Sequence, residues 1–166
     1  FELIWNPMKI VILEPYFTGS HASWANEYKS CSRHQITILS LKGQYWKWRM
    51  HGGAVTLAGQ FLSRKLKPDL LLATDMLDFT TFLALTRQET SGTKTAIYFH
   101  ENQLTYPWSE SDRDVVNQRD MHYGFINYVS ALTANLILFN SHYHLKSFSG
   151  ELPRFLKSFP DNNELV

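Results

Sequence analysis

Short apolar runs alternate with segments of helical spacing along the chain, and this alternation constrains the fold more than any other feature. The runs are rich in Ile, Leu, Val and Thr, and they predict five buried strands over residues 9–13, 35–41, 70–73, 95–99 and 136–139. Because strands joined by right-handed helical crossovers lie parallel, the pattern predicts an α/β, Rossmann-like parallel sheet with helices on both faces. We expect the strand order 3-2-1-4-5.

Two of the intervening segments give specific expectations about helices. A helix is predicted over residues 54–66, and residues 42–53 before it are expected to be irregular. The longest helix is predicted over residues 115–133, with an apolar stripe along the face that should pack on the sheet. The stripe consists of Met121, Phe125, Val129 and Leu132.

The composition indicates a single globular domain. The 166 residues are 44% hydrophobic and 19% charged, and the net charge of +1 excludes a polycation. The single cysteine, Cys31, cannot form an internal disulfide, and no apolar run is long enough to span a membrane, so we expect a cytoplasmic protein. We assign residues 8–152 to the domain, residues 1–7 to an upstream extension or an expression-tag remnant, and residues 153–166 to the start of a linker.

The segment that says most about function follows the fourth predicted strand. The apolar strand ends there in four consecutive polar residues, His100, Glu101, Asn102 and Gln103. Open parallel sheets bind ligands outside the carboxyl ends of their strands, so these side chains are candidate site residues. The alternative is a solvated loop, but such a loop rarely needs four residues of these types in a row.

The turn after the first strand offers further candidates. It lacks the G-x-G-x-x-G fingerprint, which disfavours a nucleotide-dependent reductase or epimerase. Gly19, Ser20 and His21 lie where the next helix begins, and backbone N–H groups there can meet an anion or a sugar hydroxyl. A simple capped helix explains these residues equally well. Asn140 and Ser141, at the end of the fifth strand, are expected at the same edge of the sheet.

Aromatic and basic residues alternate from position 46 to position 49. In a strand, Trp46 and Trp48 would share one face, and Lys47 and Arg49 the other. Aromatic rings stack on bases or sugars and interleaved cations hold phosphates, so these residues are candidate contacts for a nucleoside or an RNA backbone. The alternative is an edge strand that uses its Trp side chains for packing.

The long predicted helix also has a polar face. Tyr123 and Asn127 lie on that face as candidate substrate contacts, and Gly124 indicates a close approach, either of a ligand or of a neighbouring helix. His142 and His144 diverge on a helix, and no Cys or carboxylate cluster accompanies them, so no metal is expected.

Five segments together resemble one family. They are Gly-Ser-His at 19–21, Trp-Lys-Trp-Arg at 46–49, Tyr-Phe-His-Glu-Asn-Gln-Leu-Thr-Tyr-Pro at 98–107, Arg-Asp-Met-His-Tyr-Gly at 119–124 and Phe-Asn-Ser at 139–141. In this order they resemble the glycosyltransferase-like family that includes tRNA-queuosine α-mannosyltransferase, over nearly all of residues 8–163.

The resemblance implies one half of a GT-B architecture, in which two Rossmann-like domains face each other across a cleft. It implies a retaining, metal-independent transfer of mannose from GDP-mannose to queuosine in tRNA, with no cofactor and with the donor bound mainly by a C-terminal domain. This chain alone would then be inactive. The resemblance also implies that His100 lies beside the transferred sugar, that Glu101 contacts the sugar or the acceptor, and that residues 19–21 approach the donor phosphates.

The main alternative is a non-catalytic RNA-binding module built on a Rossmann-like sheet. It depends on the aromatic and basic residues at positions 46–49. It predicts that this chain alone binds tRNA in a salt-sensitive manner.

Overall fold

The structure is a computed structural model that describes residues 6–160. It contains a five-stranded sheet in which all four pairings between neighbours are parallel. In chain order the strands are β1 (Lys9–Phe17), β2 (Gln35–Lys42), β3 (Leu70–Thr74), β4 (Lys94–Phe99) and β5 (Leu136–Phe139). The helices are α1 (Gly19–Cys31), α2 (Trp46–Ser63), α3 (Phe79–Thr90), α4 (Arg113–Val116), α5 (Met121–Thr133) and α6 (His142–Leu156). The predicted α/β, Rossmann-like class is confirmed.

The strand order is β2-β1-β3-β4-β5, so the predicted order 3-2-1-4-5 is wrong. β3 pairs with β1 rather than with β2. The polarity of the strands explains this order, because an edge strand tolerates more polar residues than a central one. Gln35, Thr37 and Ser40 make β2 the more polar strand, whereas residues 10–13 of β1 are apolar and buried.

Helices cover both faces of the sheet. Successive side chains of β1 point to opposite faces, so Val11 and Leu13 pack in one layer, and Ile10 and Ile12 pack in the other. The second layer is closed by α1, whose Trp24 packs against it. The first layer is closed by buried side chains of α2 and α3, namely Ala54, Leu57, Ala58, Phe61, Phe79 and Phe82.

α2 is longer than predicted, because it begins at Trp46 rather than at Ala54. The segment expected to be irregular forms its first two turns, and the strand interpretation of the aromatic and basic residues is wrong. Met50 extends the buried stripe of the helix toward its start. Gly53 has low helix propensity, but it lets α2 approach β1 closely, since a Cβ there would lie 3.0 Å from Pro15 Cβ.

The helix predicted over residues 115–133 is two separate helices, α4 and α5, and three of the four residues of its predicted apolar stripe are largely exposed. Met121, Phe125 and Leu132 are 49%, 45% and 67% exposed. The buried face of α5 instead contains polar residues that bond to the backbone. Ser130 Oγ accepts a hydrogen bond from the Phe79 N–H and donates one to the Leu77 carbonyl, where the segment after β3 enters α3. This bonding is what allows a polar face to be buried.

α6 passes through Pro153, where a linker is predicted to begin, and ends at Leu156. Phe155 and Leu156 are buried, so this last turn packs with the rest of the domain. Residues 1–5 and 161–166, which belong to the predicted extension and linker, lie outside the described residues. Among residues 6–160, no helix is long and apolar enough to cross a membrane.

The reversed faces of α5 give a direct test by substitution. Ile126, on the observed buried face, is 5% exposed, whereas Leu132 belongs to the stripe predicted from the sequence. Ile126→Ala should lower the free energy of unfolding by about 2–5 kcal/mol, because it leaves a cavity. Leu132→Ala should change it by less than about 1 kcal/mol, and urea unfolding of both variants would check the difference. A larger loss of stability in Leu132→Ala than in Ile126→Ala would show that the face predicted from the sequence is the buried one.

Candidate functional site

Four polar side chains meet at the carboxyl edge of the sheet. Glu14 lies near the end of β1, Asp75 follows β3, His100 follows β4, and His21 lies in the first turn of α1. β1, β3 and β4 are adjacent in the sheet, so their ends bring these side chains together. Glu14, His21, Asp75 and His100 are called the edge cluster below.

Glu14 is fully buried, and each of its carboxylate oxygens faces a polar group. Oε1 accepts a hydrogen bond from the Tyr16 N–H at 2.9 Å. Oε2 lies 3.1 Å from His21 Nδ1 and 3.9 Å from His100 Nε2. This one carboxylate therefore connects the last residues of β1, the start of α1 and the end of β4.

His100 is fixed by its backbone and surrounded by rings. Its N–H donates to Asp75 Oδ1 at 2.8 Å, and its carbonyl accepts from Asn140 Nδ2 at 2.7 Å. Its ring centroid lies 4.0 Å from that of His21 and 4.9 Å from that of Trp24. Nε2 is buried without a hydrogen-bond partner in the part of the chain that the structure describes. Burial, helped by the neighbouring histidines, lowers the pKa of His100 to about 3, so its ring is neutral near pH 7.

Burial acts differently on the other members of the edge cluster. It raises the pKa of Asp75 to about 8, although the charge of His21 and the bond from the His100 N–H lower it. It lowers the pKa of His21, but the hydrogen bond and charge of Glu14 outweigh this effect, and the net shift is upward. Near neutral pH, Asp75 therefore keeps its proton, and His21 rather than His100 is the imidazole that takes up charge.

Two cavities open beside the edge cluster and share Glu101 and Tyr106. The first, the α1 cavity, has a volume of about 260 Å³, and the second, the α6 cavity, about 300 Å³. Burial raises the pKa of Glu101, which lies between them. The α1 cavity is lined by Tyr16, Thr18, Gly19, Ser20, His21, Trp46, Met76, Glu101, Gln103 and Tyr106. The α6 cavity is lined by His100, Glu101, Asn102, Thr105, Tyr106, Pro107, Asn140, Ser141, Tyr143, His144 and Ser147.

The predicted site residues after His100 divide into different roles. Both ends of the Asn102 amide are used internally, since Nδ2 lies 2.8 Å from His144 Nε2 and Oδ1 accepts two backbone N–H groups of its own turn. Gln103 donates its backbone N–H to Asn127 Oδ1 at 2.7 Å, and its own Oε1 is buried without a partner in the described chain. Asn127 Nδ2 donates to the Asp75 carbonyl at 2.8 Å. Asn127 therefore holds the two loops together, and neither cavity includes it.

Tyr123 and Gly124 also prove to be packing residues. Tyr123 is 4% exposed, and its hydroxyl donates to Asp114 Oδ2 at 3.0 Å. A Cβ at Gly124 would lie 2.6 Å from Leu104 Cδ2, so the close approach indicated by this glycine is made by a protein side chain. The expectation that Tyr123 and Asn127 line the site is not met by either cavity, because both side chains are buried against the loops.

The cations of the Trp46–Arg49 segment are already engaged. Lys47 Nζ lies 2.6 Å from Asp112 Oδ1 and 2.6 Å from Asp114 Oδ2. Arg49 Nε donates to a backbone carbonyl at the end of β2. Trp46 lines the α1 cavity, whereas Trp48 is 65% exposed and lines neither cavity, because side chains two positions apart on a helix diverge. The four residues therefore do not form one nucleoside-binding face.

Asn140 and Ser141 lie at the predicted edge and line the α6 cavity, but they are also bonded to each other and to their surroundings. Asn140 Oδ1 accepts from Ser141 Oγ at 3.0 Å and lies 3.1 Å from His144 Nδ1. Ser141 Oγ accepts from the His144 N–H at 3.1 Å and so caps α6. Their arrangement fixes where α6 begins beside His100.

One set of side chains in residues 6–160 has the spacing of a metal site. One ligand atom each from Glu14, His21 and His100 lies within 4.8 Å of the other two. The 3.1 Å distance between His21 Nδ1 and Glu14 Oε2 is that of a hydrogen bond, so we assign the set to hydrogen bonding. The expectation that no metal is bound stays a prediction.

Comparison with known proteins identifies the family. Residues 9–166 match the family model described as tRNA-queuosine alpha-mannosyltransferase N-terminal. The chain belongs to this family. The tRNA-queuosine alpha-mannosyltransferase of Drosophila melanogaster is 35% identical over 153 residues, which cover 92% of this chain and 39% of that relative. The chain thus spans well under half the length of the relative. No solved structure matches the chain.

Two members of the edge cluster, Glu14 and Asp75, were not predicted from the sequence. In the sequence, Glu14 directly follows the apolar run over residues 9–13, and Asp75 comes two residues after the run over residues 70–73, much as His100 follows the run over residues 95–99. This position was the available signal. Lone carboxylates after a strand are common in solvated loops, which is why the signal is weak. The burial of both carboxyls became evident only once the strands were ordered in the sheet.

Asp75 should make the stability of this domain depend on pH. With a pKa of about 8 when folded and an ordinary value near 3.8, the native carboxyl holds a proton that the unfolded chain has released. The free energy of unfolding therefore falls as pH rises between these values, by up to about 1.4 kcal/mol per pH unit. Asp75→Asn keeps an oxygen that accepts the His100 N–H, but it has no proton to release, so this decrease in stability with rising pH should be absent from the variant.

Urea unfolding of the wild type and Asp75→Asn at pH 5, 6, 7 and 8 would measure the effect. The variant should gain stability relative to the wild type at each step upward in pH. Glu110→Gln, at an exposed position, is the matched control and should follow the wild type. Parallel curves for Asp75→Asn and the wild type would show that Asp75 is ionised in the native state.

Proposed function

We propose that this chain is the acceptor-side domain of a retaining glycosyltransferase that transfers mannose from GDP-mannose to queuosine in tRNA. The observation that carries the proposal is the family match over residues 9–166. The 35% identity to a Drosophila tRNA-queuosine alpha-mannosyltransferase supports the same activity. The substrates are a nucleotide sugar and a queuosine-containing tRNA, and we place the reaction in the cytoplasm.

In the proposed enzyme, this domain forms one wall of a GT-B cleft. The opposite wall would be a C-terminal domain that binds the nucleotide sugar, which is why this chain alone is expected to be inactive. The carboxyl edge of the sheet supports this arrangement, since both cavities open there and Glu101 lies between them. No metal or cofactor takes part in the proposed reaction.

His100 and Glu101 are the side chains that we assign to the reacting sugar and the acceptor. A neutral His100 ring cannot supply charge. It lines the α6 cavity, where it can accept a hydrogen bond from a sugar hydroxyl or donate one to it. Glu101, with a raised pKa, faces both cavities and suits a hydroxyl of the cyclopentenediol. Positioning, rather than proton abstraction, is the role we assign to His100.

The alternative of a non-catalytic RNA-binding module retains one supporting observation. Tyr45 and Trp48 are 78% and 65% exposed at the start of α2, where they could stack on bases. Against it, the ion pairs of Lys47 with Asp112 and Asp114 leave this segment with little free positive charge for phosphates. An assay that follows transfer, rather than binding, separates the two functions.

The full-length enzyme should be incubated with GDP-mannose and queuosine-containing tRNA, and the tRNA digested to nucleosides for mass spectrometry. The wild type should yield mannosylated queuosine. His100→Ala should lower kcat/KM by about 100-fold or more, because a group that contacts the transferred sugar is lost. When the fall in kcat/KM is converted to a free energy, it should exceed the decrease in the free energy of unfolding that urea denaturation measures for the same variant.

His34→Ala is the matched control, because His34 precedes β2 and lies at the amino edge of the sheet. It should transfer mannose at the wild-type rate. Undiminished transfer by His100→Ala would remove His100 from the site, and tRNA binding without any transfer by the wild type would favour the RNA-binding module.

A further inference from the structure

The edge cluster contains a carboxylate–imidazole pair that the proposed function leaves unused. Glu14 is fully buried, His21 is 7% exposed, and Glu14 Oε2 lies 3.1 Å from His21 Nδ1. Because Nδ1 is held by Glu14, Nε2 is the ring nitrogen that remains for the α1 cavity, which His21 lines. A buried carboxylate that orients an imidazole beside a cavity is the arrangement used for proton transfer in catalysis.

We propose that His21 is the general base of the transfer and that Glu14 is its positioning residue. This inference rests on the proposed function and deepens it, because it names the group that takes the acceptor proton. His21 Nε2 takes the proton of the attacking hydroxyl of the cyclopentenediol as its O–H bond breaks. Because the proposed transfer retains configuration, the freed oxygen forms its bond to the anomeric carbon of mannose on the same face from which the donor phosphate leaves, as the bond from that carbon to the phosphate breaks. The electron pair of that bond leaves with the nucleoside diphosphate.

The second bond of Glu14 explains how the pair keeps its geometry. Oε1 accepts from the Tyr16 N–H at 2.9 Å, so the carboxylate cannot rotate away from His21 without losing a buried hydrogen bond. The Tyr16 ring also lies edge-on to the His21 ring, with centroids 5.9 Å apart. The imidazole is thus fixed on one side by the carboxylate and on another by an aromatic ring.

The other titratable groups around His21 do not fit the role of base equally well. His100 Nε2 is buried, and its ring has a pKa too low to hold a proton near pH 7. Asp75 is buried and keeps its proton. Glu101 faces the cavity, but its nearest side-chain partner, Gln103 Nε2, lies 3.5 Å away, so it lacks a comparable orienting bond. The hydrogen bond and charge of Glu14, together with the charge of Glu101, act to raise the pKa of His21.

The pH dependence of transfer by the full-length enzyme tests the inference. A general base must be unprotonated, so wild-type kcat/KM should rise with pH and level off above the pKa of His21, which lies above 6.5. His21→Ala should lower kcat/KM by about 100-fold or more and lose this inflection, and added imidazole should restore part of the rate. Glu14→Gln should lower kcat and move the inflection to lower pH, since the carboxylate that raises the pKa is gone.

Two variants control for general effects of substitution. Glu27→Gln removes an exposed carboxylate on α1, and His34→Ala removes a histidine at the amino edge of the sheet. Both should keep the wild-type rate and pH profile. Circular dichroism should establish that each variant is folded before its rate is interpreted, and imidazole rescue separates a missing base from a damaged fold.

The outcomes separate the inference from the proposed function. A wild-type rate that falls as pH rises through the His21 pKa would mean that the imidazolium binds an anion, and the inference would be overturned. Full activity and an unchanged profile in His21→Ala would overturn it as well, with the proposed function intact. Absence of mannosylated queuosine from wild-type reactions at every pH would overturn both.

Discussion

The burial of the Glu14 carboxylate is the constraint on which the candidate site depends. Removing a charged group from water costs several kcal/mol unless partners replace the water, and Glu14 has no exposed surface. The Tyr16 N–H and the His21 imidazole supply those partners, so the last residues of β1 and the first turn of α1 must hold their positions. The same carboxylate sets the protonation of His21 and contributes to the surroundings of His100.

A second layer of polar bonds holds the loops that carry the site. Asn127, which is fully buried on α5, connects the backbone after β3 to the backbone after β4. Ser130, one turn further along, accepts from the Phe79 N–H and donates to the Leu77 carbonyl, so it ties the segment that leads into α3 to α5. These two side chains serve as structural supports, because a lost bond would leave buried backbone groups unpaired. The site therefore depends on polar packing behind it as much as on its own residues.

The sequence predicted the strands of the fold better than their arrangement. Apolar runs such as residues 70–73 could be assigned directly, and the polar residues that follow β4 indicated the edge of the sheet at which the candidate site lies. The strand order could not be derived by analogy alone, and the polarity of β2 was the clue that it lies at an edge. On α5, apolar spacing selected the wrong face, since Asn127 and Ser130 are buried for the hydrogen bonds they make with distant loops. Similarly, no local pattern pairs Lys47 with Asp112 and Asp114, more than 60 residues away.

Two buried atoms lack hydrogen-bond partners in the described chain, and their location links stability to function. They are His100 Nε2 and Gln103 Oε1, on residues that lie within two positions of Glu101 and line different cavities. An unpaired buried polar atom costs roughly 1–3 kcal/mol, which folding alone gives no reason to retain. The cost falls at the candidate site, where a local loss of stability is common because the side chains there are arranged for function as well as for packing.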